Sequence, residues 1–342
     1  MKRPERRRKP LGMLIIDILL TCAALLVFAT FHHVIPAYKA KLELKNTPPE
    51  AVQPVYIPPA APNKSTPAET EDTPEEEPEP ADRFAEFFTD QVVVSEDGYS
   101  SPNICIKITH DVYADSKYTV ADIYLRDARC LRSYFAGNRY IAGSYGEKIL
   151  SLTGQCGAIL AVNGDCYSHQ DDSCVVRDGV TYRLPVVNTD MCLIYEDGTM
   201  ATFRPGDFSS DDELAAALDN CWQCWSFGPV LLDGSGNARP DASADTTAMI
   251  AGKNPRTGIG YYEPLHYCFV VVDGRQNDSA GITIDDFAQL FVQLGCSNAY
   301  NLDGGGSSYM VFNGEMISSP FQSRDLTDIL YIGEPAEEAS EN

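Results

Sequence analysis

The chain has 342 residues, of which 49 are acidic and 26 are basic, so its formal net charge is −23. Six of the basic side chains lie in the first ten residues together with one acidic residue, which leaves a formal charge of −28 on the rest. Because a nucleic-acid partner needs a basic surface to neutralise its phosphates, this charge excludes nucleic-acid binding.

The first 35 residues have the pattern of a membrane-insertion signal. Residues 1–10 form a basic tail, and residues 11–35 are almost wholly apolar, with Asp17 as the one charged side chain. That length is sufficient for a helix to cross the roughly 30 Å hydrocarbon core, and the basic flank should stay cytoplasmic. We therefore predict a single-pass anchor in the cell membrane with the rest of the chain extracellular. A cleaved signal peptide is the alternative.

Residues 36–82 differ sharply in composition from both neighbours. They are rich in proline and glutamate and poor in large apolar side chains. Such a segment cannot bury enough apolar surface to offset the entropy of ordering, and its prolines keep it extended. We predict a disordered extracellular stalk, then one folded domain at 83–333 and an acidic tail at 334–342.

Ten of the eleven cysteines lie beyond the predicted anchor. An even number in an exported domain is compatible with disulfides, although a sequence alone does not determine their pairing. Cys221 and Cys224 have the spacing of a redox motif or of half a zinc site, but no second close pair completes a tetrahedral set. We predict no metal ion bound here.

Strand signals begin near residue 103. Alternating β-branched residues predict paired strands at Asn103–Tyr113 and Tyr118–Ala128, and the apolar run Ala158–Val162 predicts a buried strand. The dipeptides Asp178-Gly179 and Asp197-Gly198 are typical of hairpin turns. Most of the predicted pairing is therefore local.

Helices are fewer. Short helices are predicted at Glu147–Thr153 and after Ser210, and a longer one begins at Thr283 and stops at Gly295. Further strands are expected at Trp225–Leu232, His266–Val272, Asn298–Leu302 and Asp328–Ile332. Since strands outnumber helices and hairpins dominate, we predict an α+β fold with a mixed, largely antiparallel sheet and flanking helices.

Small polar or charged residues follow several of these strands. Asn163 and Asp165 come after the buried strand, Asp273 and Arg275 follow His266–Val272, and Arg256 lies in a predicted loop. Arginine forks bind phosphate or carboxylate oxygens, and a glycine-rich turn can aim N–H and O–H donors at an anion or a sugar. This chain has one such stretch, called the glycine-rich turn below, which consists of Asp303, Gly304, Gly305, Gly306, Ser307 and Ser308. A tight turn without a ligand, and structural ion pairs for the arginines, are the alternatives.

Five stretches together resemble the phosphodiester glycosidase family, and they occur in the family's order. They are Asn163–Tyr167, Phe227–Pro229, Asn254–Gly260, Val272–Arg275 and Leu302–Ser308. The sequence departs from the family's pattern at two places. Asp165 stands where the family usually has the second glycine of Asn-Gly-Gly-Tyr-Phe, and Gly258 stands where it usually has alanine.

The resemblance implies hydrolysis of a sugar-1-phosphodiester, here on a cell-surface or exopolysaccharide glycan, by a membrane-tethered bacterial enzyme. Such a reaction needs positive charge on the departing phosphate and a carboxylate as nucleophile or base. We predict Asp303 and Asp273 as the catalytic carboxylates, with Arg256 and Arg275 on the phosphate. The predicted hydrogen-bonding residues are Asn163, Asp165, Gly304, Gly305, Gly306, Ser307 and Ser308.

No cofactor is predicted for this reaction. The alternative is a calcium or magnesium ion between Asp165, Asp273 and Asp303, since hard cations prefer oxygen ligands. A rival function is a non-catalytic tethered module that binds anionic cell-wall or capsule glycan. A third is a structural part of an exopolysaccharide or sporulation assembly. The sequence does not indicate an oligomeric state.

Overall fold

The computed structural model describes residues 84–335, apart from 142, 144, 170–172, 185–188 and 245. Its strands are β1 (Val93–Val94), β2 (Gly98–Ser100), β3 (Ile104–Tyr113), β4 (Ser116–Leu125), β5 (Leu131–Phe135), β6 (Leu160–Asn163), β7 (Val175–Arg177), β8 (Val180–Arg183), β9 (Met191–Tyr195), β10 (Met200–Phe203), β11 (Cys221–Ser226), β12 (Arg256–Glu263), β13 (His266–Val272), β14 (Asn298–Asn301), β15 (Met310–Phe312), β16 (Glu315–Met316) and β17 (Asp328–Ile332). The α-helices are α1 (Ile149–Cys156), α2 (Asp211–Ala217), α3 (Ala248–Ala251) and α4 (Ile284–Gln293).

The strands form three sheets. The largest has the order β1-β2-β3-β4-β13-β12-β14, and two five-stranded sheets have the orders β10-β9-β11-β7-β8 and β16-β15-β6-β17-β5. Every strand pair within the described residues is antiparallel. The predicted α+β class and its antiparallel character are confirmed. Three antiparallel sheets replace the single mixed sheet that we expected.

Strand β13 is buried on both faces, which explains its unbroken apolar sequence. Tyr267, Phe269 and Val271 point into one core cluster, while the alternate residues Val270 and Val272 point into another. The second cluster contains the apolar face of α4. Successive side chains of a strand point to opposite faces, so β13 separates two cores.

Local signals place α4 and the hairpins where they were predicted. The hydroxyl of Thr283 caps α4 by accepting from the backbone N–H of Asp286, and the Asp286 carboxylate accepts from the backbone N–H of Thr283 in return. At the β7–β8 turn both Asp178 and Gly179 have positive φ values, of 52° and 74°. Such turns match the right-handed twist of the flanking strands.

Two local predictions are wrong. The predicted strand Trp225–Leu232 ends at Ser226, because Gly228 takes a φ of +81° and turns the chain away. Arg256 does not lie in a loop, since it is the first residue of β12 and pairs with Val272.

No helix within the described ranges is long and apolar enough to cross a membrane. The predicted basic tail, the anchor at 11–35 and the stalk at 36–82 lie outside those ranges.

Candidate active site

A cavity of about 450 Å³ lies where the end of β6, the glycine-rich turn and the segment before β17 meet. Strands β6 and β17 are neighbours in one sheet, and β15, which follows the turn, pairs with the other edge of β6. Sheet pairing therefore brings together segments that are 140 or more residues apart in sequence. The cavity is lined by Asn163, Gly164, Cys166, His169, Asp303, Ser307, Arg324, Asp325, Leu326, Thr327 and Asp328.

Asp303 is half-buried at the edge of this cavity. Burial raises the pKa of its carboxyl, while a hydrogen bond from the Ser307 hydroxyl and the positive charge of Arg324 act in the opposite direction. The Arg324 guanidinium donates to the Ser307 hydroxyl oxygen over 3.2 Å. A carboxylate, a hydroxyl and an exposed guanidinium thus share one wall.

Asn163 fixes the position of Asp303 instead of offering its amide to a ligand. Its side-chain N–H donates to the Asp303 backbone carbonyl over 2.6 Å. Its oxygen accepts from the Thr257 hydroxyl at 2.8 Å and from the Tyr309 backbone N–H at 3.2 Å. These bonds use most of the hydrogen-bonding capacity of the amide, which leaves little for a ligand. They also connect β6 to β12 and to the glycine-rich turn.

Behind the cavity, two aspartates share one buried arginine. The Arg177 Nη2 donates to Asp165 Oδ1 over 2.9 Å and to Asp328 Oδ2 over 3.0 Å, and all three side chains are at most 2% exposed. Asp165 also accepts from the backbone N–H groups of Tyr167 and Ser226. Asp165 therefore does not reach a ligand directly, in contrast to our prediction.

Asp328 is the buried carboxylate of this cluster that lines the cavity. Burial, and then the negative charge of Asp165, raises the pKa of Asp328 to about 7, against the opposing charge of Arg177. One arginine cannot neutralise two buried carboxylates, so a proton on Asp328 balances the cluster. Asp328 can hold and release a proton near neutral pH.

Gly164 provides the space that Asp328 occupies. A Cβ built on Gly164 would lie 2.2 Å from Asp328 Oδ1 and 2.6 Å from Oδ2. Any larger residue at 164 would collide with the carboxylate, so this glycine is required by sterics and not by an unusual φ.

Arg256 does not face the cavity. Its guanidinium donates to the backbone carbonyls of Ile282, Ile250 and Gly252 over 3.1, 2.6 and 2.5 Å. Burial, with a smaller effect of the Arg275 charge, lowers the pKa of Arg256 to about 10. The predicted phosphate ligand is a structural residue that connects the start of β12 to α3 and to the loop before α4.

Arg275 and Asp273 also lie outside the cavity lining. Arg275 donates to the Asn254 side-chain oxygen over 2.6 Å, and its guanidinium lies 5.0 Å from the centre of the Phe321 ring. The Asp273 carboxylate accepts from the Ser319 backbone N–H over 2.9 Å. Asp273 does not line the cavity that Asp303 lines, and its predicted catalytic role stays a prediction.

The glycines of the turn serve packing more than ligand binding. The Gly305 N–H donates to the Pro255 carbonyl over 2.9 Å, and a Cβ on Gly304 would lie 2.9 Å from that same oxygen. A Cβ on Gly306 would overlap the Gln322 side chain. Ser308 is buried outside the lining, so Ser307 is the one predicted hydrogen-bonding side chain of the turn that lines the cavity.

Reasoning from the sequence missed Arg177, Arg324 and Asp328. Arg177 follows two valines in a buried strand, and Asp328 opens the apolar run of β17. A charged residue within an apolar strand is costly unless it is paired, and that signal could have identified both. Arg324 lies in an exposed loop, where nothing in the sequence distinguishes it.

Within the described part of the chain, no group of three or more histidine, cysteine, aspartate or glutamate side chains is arranged to hold a metal ion. Asp165, Asp273 and Asp303 are not gathered around a common point, since Asp165 is bound to Arg177 and Asp273 to Ser319. The described residues offer no support for the alternative of a calcium or magnesium site.

A family model described as phosphodiester glycosidase matches residues 156–333, just over half of the chain. The chain belongs to the phosphodiester glycosidase family. Membership supports a hydrolase-type function. The matched segment contains every residue named above as lining the cavity.

Three similar proteins illustrate the relationship. The SPbeta prophage-derived uncharacterized protein YomE of Bacillus subtilis (strain 168) is 29% identical over 205 residues, which is 57% of this chain and 31% of that protein. The chain thus spans about a third of the length of this relative.

The catalytic domain of zebrafish N-acetylglucosamine-1-phosphodiester alpha-N-acetylglucosaminidase, auto-inhibited by its pro-peptide, has a similar fold, with a TM-score of 0.53 and 20% identity. The match covers 71% of this chain and 88% of that one. A hypothetical protein from Synechocystis matches with a TM-score of 0.46 and 13% identity, over 68% of this chain and 62% of that one.

Proposed function

We propose that this chain hydrolyses a sugar-1-phosphodiester in the cavity between β6, the glycine-rich turn and β17. The observation that carries the proposal is that Asp303, Asp328 and Arg324 line the same cavity. Glycoside hydrolysis uses two carboxyl groups with different proton affinities, and a phosphate leaving group needs a cation. The family supports the reaction class, and the zebrafish protein's name suggests N-acetylglucosamine as the first sugar to test.

In this mechanism Asp303 is the base. Its carboxylate takes a proton from the water that attacks the anomeric carbon, and burial strengthens it as a base by raising its pKa. The hydrogen bond from Ser307 keeps the carboxylate in one orientation. The bond between the anomeric carbon and the phosphate oxygen breaks, and the phosphate monoester leaves with the electron pair.

Asp328 and Arg324 act on the departing phosphate. Asp328 donates its proton to the leaving oxygen, and its pKa of about 7 matches that role near neutral pH. Arg324 is exposed and can present two N–H groups to the phosphate oxygens. Arg177 and Asp165 touch no substrate in this scheme, and they hold Asp328 in position.

We further propose that the substrate is a cell-surface or exopolysaccharide glycan. The support is the sequence of residues 1–82, which is typical of a cytoplasmic tail, a membrane anchor and an extended spacer. Fractionation tests this part. The full chain should be recovered with membranes and be cut by protease added to intact cells, while deletion of residues 1–35 should leave it in the soluble fraction.

The activity test offers the full chain a panel of sugar-1-phosphodiesters that includes N-acetylglucosamine-1-phosphate esterified to methanol, with detection of the free sugar. Asp303→Asn and Asp328→Asn should each lower kcat/KM by about 10²–10⁴-fold. Asp273→Asn should change it by less than about threefold, because its carboxylate lies outside the cavity. Turnover that survives both cavity substitutions, or that is lost with Asp273, would refute the assignment. Glycan binding without turnover would favour the non-catalytic module.

A further inference from the structure

Two cysteines lie close together in the core cluster that contains Val270, Val272 and the apolar face of α4. No sequence motif connects them. Cys268 lies in β13, and Cys296 follows α4. Their sulfur atoms are 3.6 Å apart, and their residues are 0% and 2% exposed. They are 28 residues apart in sequence. A disulfide brings two sulfur atoms to about 2.05 Å, so closing this gap needs a shift of only about 1.5 Å between them.

Gly260 of β12 leaves the room for this pair. A Cβ at this position would lie 2.7 Å from the sulfur of Cys268 and 2.6 Å from that of Cys296. Both distances are shorter than van der Waals contact, so the two sulfur atoms occupy the volume that a side chain at 260 would fill. The absence of a side chain there lets both thiols approach each other against the sheet.

We propose that Cys268 and Cys296 form a disulfide that ties the end of α4 to β13 when the protein matures in an oxidising compartment. The oxidant is a disulfide of the glutathione class. An S–S bond forms between the two Sγ atoms, and the S–S bond of the oxidant breaks. The two protein thiols lose two protons and two electrons, and the oxidant takes them up as two thiols.

The burial of the two thiols determines at which stage of folding the thiol–disulfide exchange takes place. In the folded protein, burial and the neighbouring sulfur hold the pKa of the Cys268 thiol well above its usual range. The Cys268 thiolate is therefore scarce once α4 has packed on the sheet, and an oxidant cannot reach either sulfur there, because the two residues are 0% and 2% exposed. The bond therefore forms during folding, and oxidant added to the folded, reduced protein should act slowly.

Peptide mapping tests the proposal directly. The full chain is unfolded and reduced, then refolded in a buffer of reduced and oxidised glutathione, alkylated with iodoacetamide and digested without reductant. Tandem mass spectrometry should show the peptides of Cys268 and Cys296 linked to each other, and the link should disappear with reductant. Recovery of both residues in alkylated form, or linked to other cysteines, would overturn the proposal.

Thermal unfolding provides a second measurement. The cross-link closes a loop of about 28 residues, and reductant should therefore lower the Tm of the oxidised protein by about 6–12 °C. Cys130→Ala is the matched control, because Cys130 is equally buried in the other core cluster. It should keep this reductant sensitivity, whereas Cys296→Ala should lose it. Equal sensitivity in both variants would also overturn the proposal.

Discussion

Replacing Gly164 by alanine tests whether the buried cluster controls the cavity. The added methyl carbon would lie 2.2 Å from Asp328 Oδ1 and 2.4 Å from its Cγ. The backbone φ of Gly164 is not in the left-handed region, so alanine adds volume without adding backbone strain. The effect of Gly164→Ala is therefore purely the displacement of the Asp328 carboxylate.

The size of the effect follows from what Asp328 would lose. Relief of the overlap moves its carboxylate away from Arg177 Nη2, to which it is bonded over 3.0 Å. Loss of a buried hydrogen bond to a charged group costs about 1.5–3 kcal/mol, and overpacking alone costs about 1–3 kcal/mol. We expect a loss of about 3 kcal/mol in the free energy of unfolding, which lowers Tm by about 6–12 °C for a domain of this size.

The assay is thermal unfolding together with turnover of the sugar phosphodiester. Gly154→Ala is the matched control, since Gly154 lies inside α1 with no atom within 4 Å of its added Cβ. It should be neutral or stabilise by about 0.5–1 kcal/mol.

A double-mutant cycle isolates the collision itself. In an Asp328→Ala background the penalty of Gly164→Ala should shrink to below about 1 kcal/mol, because the group it meets is gone. An undiminished penalty, or a wild-type Tm for Gly164→Ala alone, would refute the reasoning.

Three further predictions concern pH, the arginines and α4. The fold raises the pKa of Asp328 to about 7, so the folded protein keeps a proton on this carboxyl that the unfolded chain releases near pH 4. The free energy of unfolding should therefore fall as the pH rises from about 4 to about 7. Asp328→Asn should flatten the slope of Tm against pH in this range. Arg256→Met should lower Tm, whereas Arg324→Met should leave Tm unchanged and reduce kcat/KM by at least about tenfold. If Arg256→Met reduced kcat/KM at an unchanged Tm and Arg324→Met lowered only Tm, Arg256 would be the phosphate ligand. Thr283→Ala should cost about 1 kcal/mol in chemical denaturation by removing the cap of α4, and no change would mean that packing alone holds the helix.

The parts of the fold that the sequence predicted are those that local chemistry determines. The Asp178-Gly179 turn needs two residues with positive φ, and the sequence names residues that tolerate it. Thr283 and Asp286 form a cap within a span of four residues. The division into three sheets depends on contacts between distant strands, for which no local pattern exists.

The site was predicted in part for the same reason. Asp303 and Ser307 belong to one turn, and only the three glycines 304–306 separate them in the sequence. Arg256 looked like a ligand because a lone arginine beside glycines resembles an exposed fork. Its partners are the backbone carbonyls at positions 250, 252 and 282. Because every residue type has a backbone carbonyl, the sequence does not show that these groups bind Arg256. Arg324 reaches the cavity only because the segment before β17 folds back onto the turn.

The sequence departure at position 165 affects the chemistry of the cavity through the buried cluster of Asp165, Arg177 and Asp328. Where the family usually has glycine, this chain places a second carboxylate 2.9 Å from the only guanidinium that Asp328 contacts within the described residues. The added charge has to be balanced inside the protein, because all three groups are buried. A proton on Asp328 balances it, and Asp328 lines the cavity. The carboxylate at position 165 therefore gives the cavity a carboxyl group, that of Asp328, which keeps its proton to near neutral pH.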